Sequence, residues 1–212
     1  MIVLDLEQGS EAWKAARLGK VTASRIADML AKTKTGWGAS RANYRAQLVA
    51  ERLTGTPGDS FTNAAMEWGQ KTESEARQVY EFLTSATVGQ VGAVLHPEIS
   101  MALASPDGLV GDDGLVEIKC PNTATAIDTL LNEEIAGKYI LQMQFQMACT
   151  GRNWCDFVSF DPRLPGDMQT FIKRVFRDDE MIAMIEREAR VFLAEVDAII
   201  NELIAKYRAE AA

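Results

Sequence analysis

An α/β or α+β domain, a mixed sheet with helical flanks, is the fold class this sequence predicts. Three observations lead there. Helical segments fill the first part of the chain, β-like stretches parted by Gly and Pro occupy the middle, and one long helical segment closes it. With 212 residues, 47% hydrophobic and 25% charged, the chain has an ordinary globular balance. It reads as one domain, 1–212, divided into a helical part (1–85), a part of sheet and helices (86–177) and a C-terminal helix (178–212). No linker, repeat or low-complexity segment interrupts it.

Taken in order, Ser10 to Leu18 is expected to be a short helix. Ser10 offers a hydroxyl to the first free N–H groups, and Glu11 meets the positive end of the helix dipole. Thr22-Ala23-Ser24 opens a second helix reaching about Ala31, and Lys32 to Ser40 is a basic, Gly-containing loop. Arg41 to Leu53 is helical and stops at Thr54-Gly55-Thr56-Pro57-Gly58. Asn63 to Leu83 forms a long helix. Strands follow near Val88–Leu95, Met101–Ala104 and Leu115–Cys120, then helices near Thr123–Ala136 and Tyr139–Thr150. Strands at Trp154–Phe160 and Gln169–Arg177 precede the last helix, Asp178 to about Arg208.

Several function classes fall away at once. A single histidine, His96, excludes sites that need two imidazoles. Cys120, Cys149 and Cys155 show no C-x-x-C spacing, so zinc or iron–sulfur ligation is not expected, and they read as small hydrophobes in a reducing compartment. No phosphate-binding loop of the G-x-x-x-x-G-K-[ST] type occurs. No apolar run approaches the ~18 residues of a membrane span. The N-terminus lacks a basic region followed by an apolar stretch, and a cytoplasmic location is expected. The net charge of −8 is uneven: residues 1–55 carry nine Lys/Arg against five Asp/Glu, and residues 177–212 five against nine. A basic half facing phosphate and an acidic helix facing solvent is one reading, and ordinary scatter is the other.

The chemistry concentrates between Ser105 and Pro121. Asp107, in the turn Pro106-Asp107-Gly108, is followed after nine intervening residues by Glu117-Ile118-Lys119 on an apolar strand. Alternation puts Leu115, Glu117 and Lys119 on one face and Val116 and Ile118 on the other. A hairpin through Gly111-Asp112-Asp113-Gly114 returns Asp107 to the side of Glu117. Two carboxylates and the Ile118 carbonyl suit a hard cation such as Mg²⁺, which keeps several waters and accepts substrate phosphate. Lys119 can orient or deprotonate a water, or neutralise charge that develops on phosphorus. The competing reading is a solvated ion pair on a strand next to an ordinary turn.

Three further groups accompany this motif. Arg17 with Thr22 and Ser24 offers a guanidinium fork and hydroxyls at the start of a helix, a pocket for an anion, unless the hydroxyls merely cap the helix. On the long helix Glu73 offers a further carboxylate, with Glu75 as its competitor. In Tyr139-Ile140-Leu141-Gln142-Met143-Gln144-Phe145-Gln146, Gln142 and Gln146 share a helix face, and Gln142 is the polar group expected to contact phosphate or water.

The order of Arg17, Thr22-Ala23-Ser24, Trp68-Gly69-x3-Glu73, Ser105-Pro106-Asp107-Gly108, Glu117-Ile118-Lys119-Cys120-Pro121 and Tyr139-x2-Gln142-x-Gln144 resembles the phage-lambda-type exonuclease family of viral recombination nucleases. The resemblance runs from about Gln8 to Asp161. It implies a restriction-endonuclease-like core of the PD-(D/E)xK kind. It also implies a Mg²⁺-dependent enzyme, with Mn²⁺ able to substitute, that digests one strand of double-stranded DNA from its 5′ end. Mononucleotides are released and a 3′ tail is left. By motif match Asp107, Glu117 and the Ile118 carbonyl hold metal, Lys119 acts on the water, and Glu73 and Gln142 complete the site. Arg17, Thr22 and Ser24 take the 5′ phosphate. The resemblance further implies a ring-shaped homotrimer around DNA, a single-strand annealing protein as partner, and an apolar wedge near Met66. It departs from the pattern at His96-Pro97-Glu98, where another acidic residue is expected, and the acidic C-terminal helix matches no motif. A related nuclease that cuts internally or acts on single strands, and a non-catalytic DNA-end-binding scaffold, are the alternatives.

Overall fold

The first strand, β1 (Ile2–Leu4), comes from a segment with no sequence signal of its own, and it gains its partner from far along the chain. The computed structural model describes residues 1–58 and 64–208. The side chains of residues 64–66 and 70 lie outside that description, so the wedge expected near Met66 does too. The remaining elements are α1 (Glu11–Arg17), β2 (Val21–Thr22), a 3-10 turn (Ala23–Arg25), α2 (Ile26–Met29), β3 (Lys32–Thr33), β4 (Gly36–Trp37), α3 (Ala39–Thr54), α4 (Ala64–Thr84), β5 (Val88–Gly89), β6 (Ala93–Leu95), β7 (Ala102–Ala104), β8 (Gly108–Val110), β9 (Gly114–Lys119), α5 (Thr123–Asn132), α6 (Gly137–Thr150), β10 (Trp154–Phe160), β11 (Thr170–Phe176) and α7 (Asp179–Tyr207).

The class is the one expected, mixed sheets flanked by helices, but the strands divide between sheets. One has the order β1-β6-β7-β2, another β11-β10-β9-β8-β5, and β3-β4 is a separate hairpin within the expected basic loop. The stretch Val88–Leu95 therefore contributes to both larger sheets. It breaks at Gly92, where the space of a Cβ is taken by the Leu6 carbonyl oxygen 1.9 Å away. The helix expected from Thr22 is replaced by the 3-10 turn and the four residues of α2, because Val21 and Thr22 pair with β7.

Strand β9 lies at the centre of the five-stranded sheet, antiparallel to β8 and parallel to β10. Its alternation divides two cores. Leu115 joins the larger, with Tyr44, Leu48, Phe145, Ile185 and Phe192, whereas Val116 and Ile118 join the smaller, with Ala76 and Tyr80 of α4. The acidic α7 packs on the larger core through Ile182, Ile185, Ala189, Phe192 and Val196. Its outer acids do not simply face solvent: Glu195 pairs with Arg41 (2.7 Å) and Arg45 (2.6 Å), and Asp197 with Arg52 (2.6 Å). Much of the basic excess of α3 is thus consumed within the fold. Among the described residues no helix is long and apolar enough to cross a membrane.

Candidate active site

The β8–β9 hairpin builds the site. Gly108 pairs with Val116, so Asp107, one residue before β8, arrives beside Glu117 and Ile118. The Ile118 N–H donates to Asp107 Oδ2 at 2.7 Å. Gly108 is required there, since a Cβ would lie 2.1 Å from Val88 Cγ1. Glu117 is wholly buried, yet both its oxygens are engaged: Gln142 Nε2 donates to Oε1 and Gln146 Nε2 to Oε2, each at 2.6 Å. The Lys119 ammonium pairs with Oε1.

Two carboxylates against one amine leave the cluster short of positive charge. Burial raises the Asp107 carboxyl well above its usual range and the Glu117 charge adds to this, against the weaker pull of Lys119 and the Ile118 N–H. Burial acts to lower Lys119, but Glu117 and Asp107 outweigh it and hold the amine above its usual value, so it is an ammonium. Cys120, half-buried beside this charge, has its thiol pushed up to about 12 by burial and by Glu73 and Asp107, which disqualifies it as a nucleophile. A hard divalent cation would relieve the imbalance. Among the described residues no set of three or more His, Cys, Asp or Glu side chains is grouped for a metal. An ion here would therefore rest on two carboxylates, a carbonyl and waters or phosphate, a donor set that fits Mg²⁺.

Opposite this acidic wall stands a cationic one. A pocket of about 190 Å³ is lined by Gln8, Trp13, Arg17, Ala23, Ser24, Ser105, Asp107, Lys119 and Gln142. The Arg17 guanidinium stacks on Trp13 at 4.2 Å and donates to Ser105 Oγ at 3.1 Å. No carboxylate forms an ion pair with it among the described residues, and burial lowers its pKa against the pull of Tyr44 and Glu51. Trp13 Nε1 donates to the Gly92 carbonyl (2.9 Å) and to Ser105 Oγ (3.0 Å). Gln8 spans the Val91 and Pro106 carbonyls at 2.8 and 3.0 Å. A half-buried guanidinium with no carboxylate partner among the described residues, beside hydroxyls, suits an anion.

The structure thus brings Arg17, Ser24, Asp107, Lys119 and Gln142 to one pocket, with Glu117 behind it. Thr22 is buried behind Ser24, 3.5 Å from its hydroxyl, and does not line the pocket. The short α2 supplies no long helix dipole there. Glu73 feels Lys119 and Glu117 electrostatically, and burial raises its carboxyl, but it pairs with Arg77 and also stands outside the lining. Glu75 is exposed on α4. His96 is buried, its Nε2 3.1 Å from Glu186 and its Nδ1 accepting from the Glu98 and Ile99 N–H groups, and Glu98 pairs with Arg190 at 2.8 Å. Gln8 and Trp13, which share the N-terminal stretch Gln8–Ser24 with Arg17, line the pocket without a role expected of them from sequence, and Ser105 as a lining residue and Gln146 as a partner of Glu117 were not foreseen. The signals were present: Ser105 precedes Pro106-Asp107, and Gln146 stands one helical turn from Gln142.

Residues 12–153 match the model of the YqaJ-like viral recombinase domain. A crystal structure of an alkaline exonuclease, LHK-Exo from Laribacter hongkongensis, is 55% identical, with a TM-score of 0.89 over 96% of this chain and 100% of that one. The same enzyme in complex with dAMP matches equally. A phage related exonuclease from Haemophilus somnus 129PT shares the fold at 16% identity, with a TM-score of 0.71 over 87% of this chain and 96% of that one. Comparison with curated proteins gives no match. Fold and kinship define the class of this protein, an exonuclease. The chain belongs to the YqaJ-like viral recombinase domain family, consistent with the lambda-type resemblance of its motifs.

Proposed function

We propose that this exonuclease is Mg²⁺-dependent, Mn²⁺ substituting, and degrades the 5′-ended strand of double-stranded DNA into 5′-mononucleotides, leaving 3′ tails for recombination by strand annealing. The observation that carries this is the shared pocket: Arg17 and Ser24 of the anion seat and Asp107 and Lys119 of the charged cluster line the same 190 Å³. A terminal phosphate held by Arg17 brings the adjoining phosphodiester to the acidic wall.

Asp107, Glu117 and the Ile118 carbonyl would hold the metal, which supplies Lewis-acid activation of the phosphodiester and of a water. Lys119, kept as an ammonium by its neighbours, orients the water and neutralises charge developing on the phosphate. Gln142 holds Glu117 and offers its amide at the pocket wall. Glu73 adds negative charge at the end of β9, and Thr22 supports Ser24 from behind.

A ring-shaped homotrimer around the duplex, a single-strand annealing protein as partner and action in the host cytoplasm complete the proposal. These rest on the family resemblance, and a solution mass of three chains would support the ring. The direct test of the activity incubates linear duplex bearing 5′ phosphates, and closed circular duplex, with Mg²⁺. Linear DNA should be consumed and circles left intact. Cutting of circles would indicate an endonuclease, and no digestion of either would indicate a DNA-end-binding scaffold.

A further inference from the structure

The three glutamines of α6 are engaged in different ways. Gln144 uses both ends of its amide on the β11–α7 connection, donating to the Phe176 carbonyl at 2.8 Å and accepting from the Asp178 N–H at 2.9 Å. Gln142 lines the pocket and donates to Glu117 Oε1. Gln146 is wholly buried between Phe145 and Met147, which are also fully buried. Among the described residues its side chain makes one hydrogen bond, to Glu117 Oε2, and its own Oε1 is buried with no partner.

An amide with an unpaired carbonyl is a poor choice for an apolar site, where an aliphatic side chain of equal length would fill the same space. What distinguishes glutamine there is the N–H aimed at Glu117. The two oxygens of Glu117 are also unlike. Both partners of Oε1, Gln142 and Lys119, line the pocket and border open space, whereas the one partner that Oε2 has among the described residues, Gln146, is wholly buried.

We propose that Gln146 is a positioning residue: it pins Glu117 through Oε2, so that Oε1 is the oxygen presented to a divalent cation. This rests on the metal-dependent reading above. A donor that fixes a ligating carboxylate commonly changes metal affinity by about 10–100-fold when removed.

The test uses the full-length protein without DNA and Mn²⁺ as the probe, with free Mn²⁺ followed by electron paramagnetic resonance. Wild type binds Mn²⁺, and Gln146→Met, which keeps the volume and loses the N–H, binds about 10–100-fold more weakly. Cys149→Ala, buried on the same helix without touching Glu117, should lower the melting temperature and leave Mn²⁺ affinity unchanged. In nuclease assays the Mg²⁺ concentration for half-maximal rate should rise for Gln146→Met, with the rate recovered at saturating Mg²⁺. Should that variant fail to fold, Gln146→Asn, which withdraws the amide by one methylene, must show the same weakening. Unchanged Mn²⁺ affinity in a folded Gln146 variant would overturn this proposal and leave the metal-dependent reading standing. No Mn²⁺ binding by wild type would remove both.

Discussion

The two walls of the pocket are built by opposite means. The acidic wall, Asp107 with Glu117 behind it, is carried by a hairpin at the centre of a five-stranded sheet, its geometry fixed by backbone register. The cationic wall, Arg17 with Trp13, sits on a seven-residue helix, and side-chain hydrogen bonds to Ser105 and stacking hold it in place. Each wall carries unbalanced charge that the fold does not neutralise, while α3 and α7 neutralise each other a short distance away. Fold-stabilising charge is paired; the charge left over is what the proposed function assigns to a cation and an anion.

Substitutions on the acidic wall should have the largest effect. Lys119→Ala should lower the cleavage rate by roughly 10²–10³-fold or more while duplex-end binding stays nearly intact, measured by gel shift in Ca²⁺. Equal losses of binding and cleavage would make Lys119 a phosphate contact or a fold element. On the cationic wall, Arg17→Ala should erase the preference for 5′-phosphorylated over 5′-hydroxyl ends. The expected cost is about 1.5–3 kcal/mol, seen in KM more than in kcat. An unchanged preference would remove the anion seat.

The acidic wall also predicts a pH dependence. The folded-state pKa of Asp107 lies above its ordinary 3.8, so the folded protein holds a proton that the unfolded chain releases. Below about pH 4 this carboxyl costs nothing, and stability is lost as pH rises towards the raised value. Glu73, raised above 4.5 by burial, acts in the same sense. Lys119, raised above 10.5, contributes stability lost only at far alkaline pH. The metal-free melting temperature should therefore fall as pH climbs from about 4 towards neutrality, and Asp107→Asn should flatten that slope, by about 2–4 °C for each kcal/mol of charge burial removed. An unaltered slope in Asp107→Asn would place the dependence elsewhere. Smallest of all, Ser105→Ala should cost about 0.5–1.5 kcal/mol in end binding, because it removes the acceptor shared by Trp13 and Arg17.

The acidic wall was the more legible in sequence because backbone register within one hairpin builds it. Asp107, Glu117 and Lys119 are joined by one hairpin, so strand alternation and a turn were enough to place them together. The cationic wall depends on β2 pairing in parallel with β7 and on Trp13 reaching Gly92 and Ser105, contacts that span about 80 residues or more and have no local signature. β1 escaped notice because it owes its existence to β6. The same holds for the pairing of α3 with α7, which turned an apparent basic half into a neutralised interface.

The meeting of the two walls predicts a direction, and strand-specific labelling measures it. Linear duplex carrying one label at the 5′ phosphate and another at the 3′ end of the same strand is digested in Mg²⁺, and samples are taken early. The 5′ label should appear first, as a mononucleotide, while the 3′ label stays on long DNA. Early release of the 3′ label, or of a 5′ oligonucleotide, would contradict a 5′ end seated at Arg17 beside the carboxylate cluster.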